Sequence, residues 1–356
     1  MFRPGSPRLR RFALILAACL SLPACHDQAR GGGAGARDEI RVVGSSTVYP
    51  FTTLVAEQFV TRDPDAVSPV IESTGTGAGF RLFCAGLGAL HPDIANASRR
   101  MTPGEYRACR RNGVGPVLEV PIGIDGIAFA ASPETPRVSL SPADIYRALA
   151  ATPGGRPNAA RTWADVNPAL PAMPIEVYGP PATSGTRDAL VELIMIPGCR
   201  AADPAGAALE RTDPQAFRAR CTRVREDGAY IDAGENDNLI VQKLAANPQA
   251  LGVFGYSYLE ENQGAVVGVP IDGVAPSYRA IAQGRYPGSR PLYVYVKRNH
   301  LDAVPGLRAF LRLYAASWGP EGPLARRGLI VAPPPARAAA AQAVAAERPL
   351  DPRELG

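Results

Sequence analysis

Glu39-Ile40-Arg41-Val42-Val43-Gly44-Ser45-Ser46-Thr47-Val48-Tyr49-Pro50-Phe51 holds the pattern from which the rest of the chain is read. The β-branched run at 39–43 predicts a strand, and residues 50–61 carry helical apolar spacing at Phe51, Leu54, Val55 and Phe59. Between them lies a small, polar, Gly-containing turn. The same order returns at Thr74-Gly75-Thr76-Gly77, which follows a strand expected at 67–72, and at Ser184-Gly185-Thr186, which follows one expected at 174–178. A fourth loop, Ser98-Arg99-Arg100, follows a strand expected at 93–97 and adds a hydroxyl and a guanidinium. Further along, Thr102-Pro103-Gly104-Glu105 and Ser141-Pro142-Ala143-Asp144 mark helix starts. Strands are expected at 117–122, 126–131, 252–256, 266–270 and 292–296, and helices at 238–246 and 303–317. Residues 197–225 read as irregular, the Ala-rich stretch 336–346 as a terminal helix, and the last residues as frayed. Strands alternating with helices predict an α/β fold with mainly parallel sheets flanked by helices.

The chemistry lies in the loops. A helix N-terminus leaves backbone N–H groups unpaired and carries partial positive charge. Ser and Thr add hydroxyl donors, and Gly lets the backbone approach a ligand closely. Any one such loop is better explained by ordinary helix capping. Three in one chain, two of them beside Arg99 and Arg187, favour a site where several termini converge on a compact tetrahedral anion. Other chemistries fit less well. Gly75, Gly77 and Gly79 fail the dinucleotide spacing because position 80 is Phe, and no Lys follows a Gly-rich loop as a P-loop requires. The Gly44 loop lacks the second Gly of a nucleophile elbow. His91 and His300 read as surface residues rather than as the base of a hydrolase.

The N-terminus sets the compartment. Arg3, Arg8, Arg10 and Arg11 precede an apolar run at 12–20 that is too short to span a bilayer. Residues 1–24 therefore read as a secretory signal peptide. Leu22-Pro23-Ala24-Cys25 resembles the lipobox of bacterial lipoproteins, which implies a lipidated Cys25 and a flexible tether over 25–37. Four cysteines remain after Cys19 and Cys25: Cys84, Cys109, Cys199 and Cys221. An even set in an exported chain suggests two disulfides, for which three pairings exist. Cys84–Cys109 and Cys199–Cys221 close the shortest loops and are the expected pairs. No metal site is expected, because the spacings are wide and only His26, His91 and His300 could join them. The formal charge of +5 includes the four leader arginines; without them 34 basic face 33 acidic residues, or +1. That balance gives no basis for nucleic-acid binding.

Six segments, in order from about residue 40 to 331, resemble the phosphate-binding proteins of phosphate ABC transporters. They are Gly44 through Pro50; Thr74 through Phe80 with Cys84; and Asp93 through Arg99. The others are Tyr178-Gly179-Pro180 with Ser184-Gly185-Thr186; Gly252-Val253-Phe254-Gly255-Tyr256; and Arg285-Tyr286-Pro287 with Arg290-Pro291-Leu292. The resemblance implies a type II periplasmic binding protein with two α/β lobes and the ligand in the cleft between them. Lobe 1 is expected at 38–124 and 271–346, lobe 2 at 125–270, and a tail at 347–356. It further implies a monomer without cofactor or catalytic activity that delivers inorganic phosphate to a membrane permease and its ATPase. Ligand positions carry over to Ser46, Thr47, Thr76, Ser98, Ser184, Gly185 and Thr186. Arg99 stands where other branches have Asp, and Pro180 where some have Arg. Thr74, Ser45 and Arg187 join the candidate set from the loops themselves.

Selectivity needs one further group. Sulfate and phosphate share size and shape, but at neutral pH only phosphate keeps a proton. A cleft carboxylate accepts that proton and repels sulfate. With Arg99 in the usual Asp position, Asp125, Glu235 and Asp237 are the candidates, and Arg99 is expected to orient one of them by a forked pair. A general oxyanion binder for sulfate, arsenate or molybdate, a phosphate sensor, and a phosphatase-like hydrolase are the alternatives.

Overall fold

The computed structural model describes residues 37–234 and 237–355; the expected leader 1–24, Cys25, the tether up to residue 36, and Glu235 lie outside the described residues. Among the described residues are nine strands: β1 (Arg41–Gly44), β2 (Val70–Ser73), β3 (Ile94–Ala97), β4 (Val117–Ala131), β5 (Val177–Gly179), β6 (Tyr230–Asp232), β7 (Leu251–Gly255), β8 (Val267–Gly268) and β9 (Ser289–Lys297). They run in the order β2-β1-β3-β9-β4-β7-β5-β6, with β8 on β4. At one end β1 is parallel to β2 and β3, and at the other β5 is parallel to β6 and β7. This is the consequence of the strand–loop–helix units, since a helical crossover returns the chain parallel to the strand it left. Helices flank the sheet, so the architecture is α/β.

The middle of the sheet is antiparallel. β9 pairs β3 on one side and β4 on the other, and the 15-residue β4 pairs β9 along its first part and β7 along its last. β4 thereby feeds two cores. Val120 and Ile122 pack with Val42, Val55, Ile94, Val294 and Phe310. Ile127 and Phe129 pack with Tyr146, Trp163, Leu190, Phe254 and Tyr286.

Three local expectations differ from the structure. Residues 197–225 hold the helices Ile196–Ala202, Pro204–Thr212 and Pro214–Phe217. Asp203 accepts from Gly206 N at 3.1 Å and Asp213 from Ala216 N at 2.9 Å, each with Pro at the first helical position. These are the capping signals used elsewhere in the chain, but the helices are too short to show apolar periodicity. The chain end is docked rather than frayed: Leu350 is buried and its N–H donates to Val117 O at 2.8 Å. His300 is buried rather than on the surface. Its Nε2 accepts from Gly88 N–H at 3.1 Å, which leaves Nδ1–H to face Asp93 Oδ1 at 2.5 Å. The disulfides Cys84–Cys109 and Cys199–Cys221 are both present.

Candidate anion-binding cleft

The four loops named from the sequence are tied to one another. Thr74 and Gly75 donate their N–H groups to Gly44 O at 2.9 and 2.8 Å, and Ser45 N donates to Asn96 O at 3.0 Å. Two glycines permit this crowding. A Cβ on Gly79 would lie 2.5 Å from Gly44 Cα, and one on Gly44 would lie 2.1 Å from Asn96 O. The helix Thr76–Phe83 can therefore point its N-terminus at the end of β1. Thr76 Oγ1 accepts from Ser98 N at 3.1 Å and lies 3.0 Å from Ser98 Oγ. Among the described residues Thr74 Oγ1 is buried without a hydrogen-bond partner, so a hydrogen-bonding group is available there for a ligand.

The Ser184 loop comes from the other core. Ser184 caps the helix Gly185–Ala189, its Oγ accepting from Thr186 N at 3.2 Å. The helix runs on through a π turn over Leu190–Met195. Gly185 lies against the first loop, where an added Cβ would stand 3.0 Å from Thr47 Cα. The Ser46 hydroxyl donates to Asp188 Oδ2, a bond between residues 142 positions apart.

Charge reaches the cleft through Arg290. Asp125 and Arg290 are direct neighbours across β4 and β9, and Nε of Arg290 lies 3.2 Å from Asp125 Oδ2. The same guanidinium donates to Thr47 Oγ1 at 3.0 Å and pairs with Glu192. Burial pushes the Asp125 carboxyl above the usual carboxylate range, while Arg290 opposes that shift. A cavity of about 670 Å³ opens beside these groups, lined among others by Thr76, Ser98, Arg99, Glu192, Arg290 and Tyr293.

The structure sorts the sequence candidates. Ser46, Thr47, Thr74, Thr76, Ser98, Ser184, Gly185 and Thr186 all lie on the joined loops. Ser45 is buried, and its Oγ accepts from Val48 N at 3.4 Å as a local cap. Arg187 stacks over the Tyr230 ring at 4.0 Å. Arg99 lines the cleft, and its fork closes on Glu105 at 2.7 and 2.9 Å rather than on Asp125. Asp237 accepts from Gly255 N at 3.0 Å at the end of β7. Asp188, Glu192 and the role of Arg290 were missed. The one available signal was spacing: Ser184, Asp188 and Glu192 recur every four residues, as one face of a helix requires.

Comparison with known proteins follows the same lines. Residues 30–317 match the family model described as PBP superfamily domain. Protein SphX of Synechococcus elongatus is 30% identical over 348 residues, covering 94% of this chain and 89% of that protein. The phosphate-binding protein PstS of Staphylococcus saprophyticus is 27% identical, covering 83% of this chain and 82% of its own. Among solved structures, a possible phosphate binding protein from Planctomyces limnophilus superposes with a TM-score of 0.71 at 27% identity, over 87% of this chain and 98% of that one.

Proposed function

Because this chain belongs to the PBP superfamily, we propose that it binds inorganic phosphate where the four loops meet and delivers it to the permease and ATPase of an ABC transporter. The observation that carries the reading is the convergence itself: Ser46, Thr47, Thr76, Ser98 and Ser184 on loops joined by direct contacts, with the unpartnered Thr74 hydroxyl among them. Small hydroxyls and helix N-terminal N–H groups suit a compact anion better than a large organic ligand. The two cores joined by β4 and β9 support two lobes that close over the ligand, each contributing part of its shell. Closure expels water and strengthens every such bond. The mature protein begins at a lipidated Cys25, which holds a monomer at the membrane on the exported side. Both disulfides fit that oxidising compartment.

Calorimetric titration of phosphate-stripped protein with phosphate, sulfate, arsenate and molybdate tests the reading. Saturable phosphate binding is expected, with a preference over sulfate of at least about a hundredfold. Absence of heat with phosphate refutes it. Intact-mass measurement of membrane-extracted protein checks the anchor, since an unmodified Cys25 is incompatible with it.

A further inference from the structure

We infer that the loop 85–92 is a bilayer-contacting face: Leu87 and Leu90 rest in the lipid surface beside the anchor and fix how the protein stands on the membrane. This rests on the lipidated Cys25 proposed above. Leu90 is 88% exposed, the most of any large apolar side chain among the described residues, and Leu87 and Leu82 are exposed near it. The loop that displays them is clamped by buried polar groups. Lys297, fully buried, donates to Gly86 O, and Gly88 N–H donates to His300 Nε2 at 3.1 Å. Arg37 donates to Ala89 O at 2.7 Å and to His91 O at 3.0 Å, the carbonyls on either side of Leu90. Arg37 and His300 both meet the buried Asp93. Arg37 is also where the chain coming from Cys25 enters the described structure. Twelve residues separate the two positions. Fully extended they reach about 40 Å, and a Gly-rich chain of that length averages about 20 Å. The acyl chains therefore enter the bilayer within that reach of Leu90, where a short tether raises the effective concentration for contact to the millimolar range. Charge agrees. Asn112 donates to Cys84 O at 2.8 Å and Cys84 is bonded to Cys109, which sets the end of the helix Pro103–Arg111 beside the loop. Arg81, Arg110 and Arg111 are exposed there, and none is in an ion pair among the described residues. Asp38 opposes them in part, while Glu39 is taken by Arg41 at 2.7 Å. Leucines rimmed by arginines match acyl chains beneath anionic headgroups. Asp93 precedes β3 and Arg41 opens β1, whereas the anion loops follow the other ends of those strands, so the contact leaves the anion cleft uncovered.

The test puts an indole on this face of the full lipidated chain. The native Trp163 and Trp318 are buried, so Leu90→Trp supplies the one exposed tryptophan. The protein, its acyl mass checked, is held by its anchor in vesicles of phosphatidylethanolamine and phosphatidylglycerol in equal parts, with or without bromine on the acyl chains. Leu239→Trp, at an exposed position on the helix Asp237–Ala246 of the other core, is the reference. Bromine quenching at position 90 is expected to exceed that at position 239 by at least about threefold. Equal quenching overturns the proposal. Adding Arg110→Glu and Arg111→Glu is expected to lower the ratio of apposed to unapposed protein at least about fivefold. Quenching that survives both changes overturns the assignment to an anionic bilayer. Should Leu90→Trp not fold by circular dichroism, Leu87→Trp is read by the same criterion; if neither folds, the leucines are structural and the proposal fails. Quenching that appears only with the permease present assigns the face to a protein partner, and an emission shift that grows with protein concentration without vesicles assigns it to a second copy; either overturns the proposal. A chain lacking the acyl mass refutes the anchor and the proposal with it, whereas a lipidated chain quenched equally at both positions refutes the bilayer face alone.

Discussion

Replacing Arg290 by Met removes the cation from the junction of the two cores while keeping most of the volume. The guanidinium is 7% exposed and the Asp125 side chain 18%, so solvent screens their pairing little. Glu192 is 52% exposed and loses little when its partner goes. Breaking one half of a buried pair typically costs about 3–5 kcal/mol, because the remaining charge is stranded. The cost depends on pH, and its sign follows from Asp125. Burial already holds that carboxyl above its ordinary range and Arg290 pulls it back, so Arg290→Met lifts it further. A carboxyl raised in the folded state keeps its proton where the unfolded chain, with a value near 3.9, has shed it. Stability from this source is complete below the unfolded value and is lost as pH rises through the folded one. The penalty is therefore expected to be larger at pH 8 than at pH 5. Urea unfolding followed by circular dichroism, with disulfides intact and phosphate absent, measures it at both. Adding Asp125→Asn should recover part of the loss at pH 8. A penalty below about 1 kcal/mol, or one equal at the two pH values, refutes the view that a buried Asp125–Arg290 pair holds the junction.

Thr76→Ala removes the hydroxyl that joins its loop to Ser98. It is expected to weaken phosphate binding by about 1.5–3 kcal/mol, roughly ten- to hundredfold, and an unchanged Kd by calorimetry rules out Thr76 as a ligand. Gly79→Ala drives a Cβ into the Gly44 backbone. A loss of about 1–3 kcal/mol in thermal unfolding is expected, and wild-type stability contradicts the close approach. Burial pushes the Lys297 ammonium down to about 7. The unfolded chain then holds more protons from about pH 7 to 10, so stability rises with pH across that window. Scanning fluorimetry should show Tm climbing from pH 7 to 9 in the wild type and a flatter profile in Lys297→Met; equal slopes refute the assignment.

Signals confined to a few neighbouring residues were legible. The capping boxes at Thr102 and Glu105 and at Ser141 and Asp144 form as their spacing implies. The loops at Gly44, Thr74 and Ser184 sit between a strand and a helix, because apolar periodicity on each side and small polar residues between are backbone preferences with short range. The Asp203 and Asp213 caps had the same local form but headed helices too short to announce themselves.

Local preferences along the chain set the alternation of strand and helix, the position of the polar loops, and the cysteines close enough to pair. Which side chains meet depends on the packing of distant segments. Ser46 and Asp188 stand 142 positions apart, and Thr47 and Arg290 stand 243 apart. Arg99, expected in the cleft's charge network, instead closes on Glu105 six positions away, where a helix N-terminus already holds that carboxylate. A local preference acts through a residue's own backbone and can be read from its neighbours. A charge chooses its partner only after burial of two distant cores has brought the candidates together and removed the water between them.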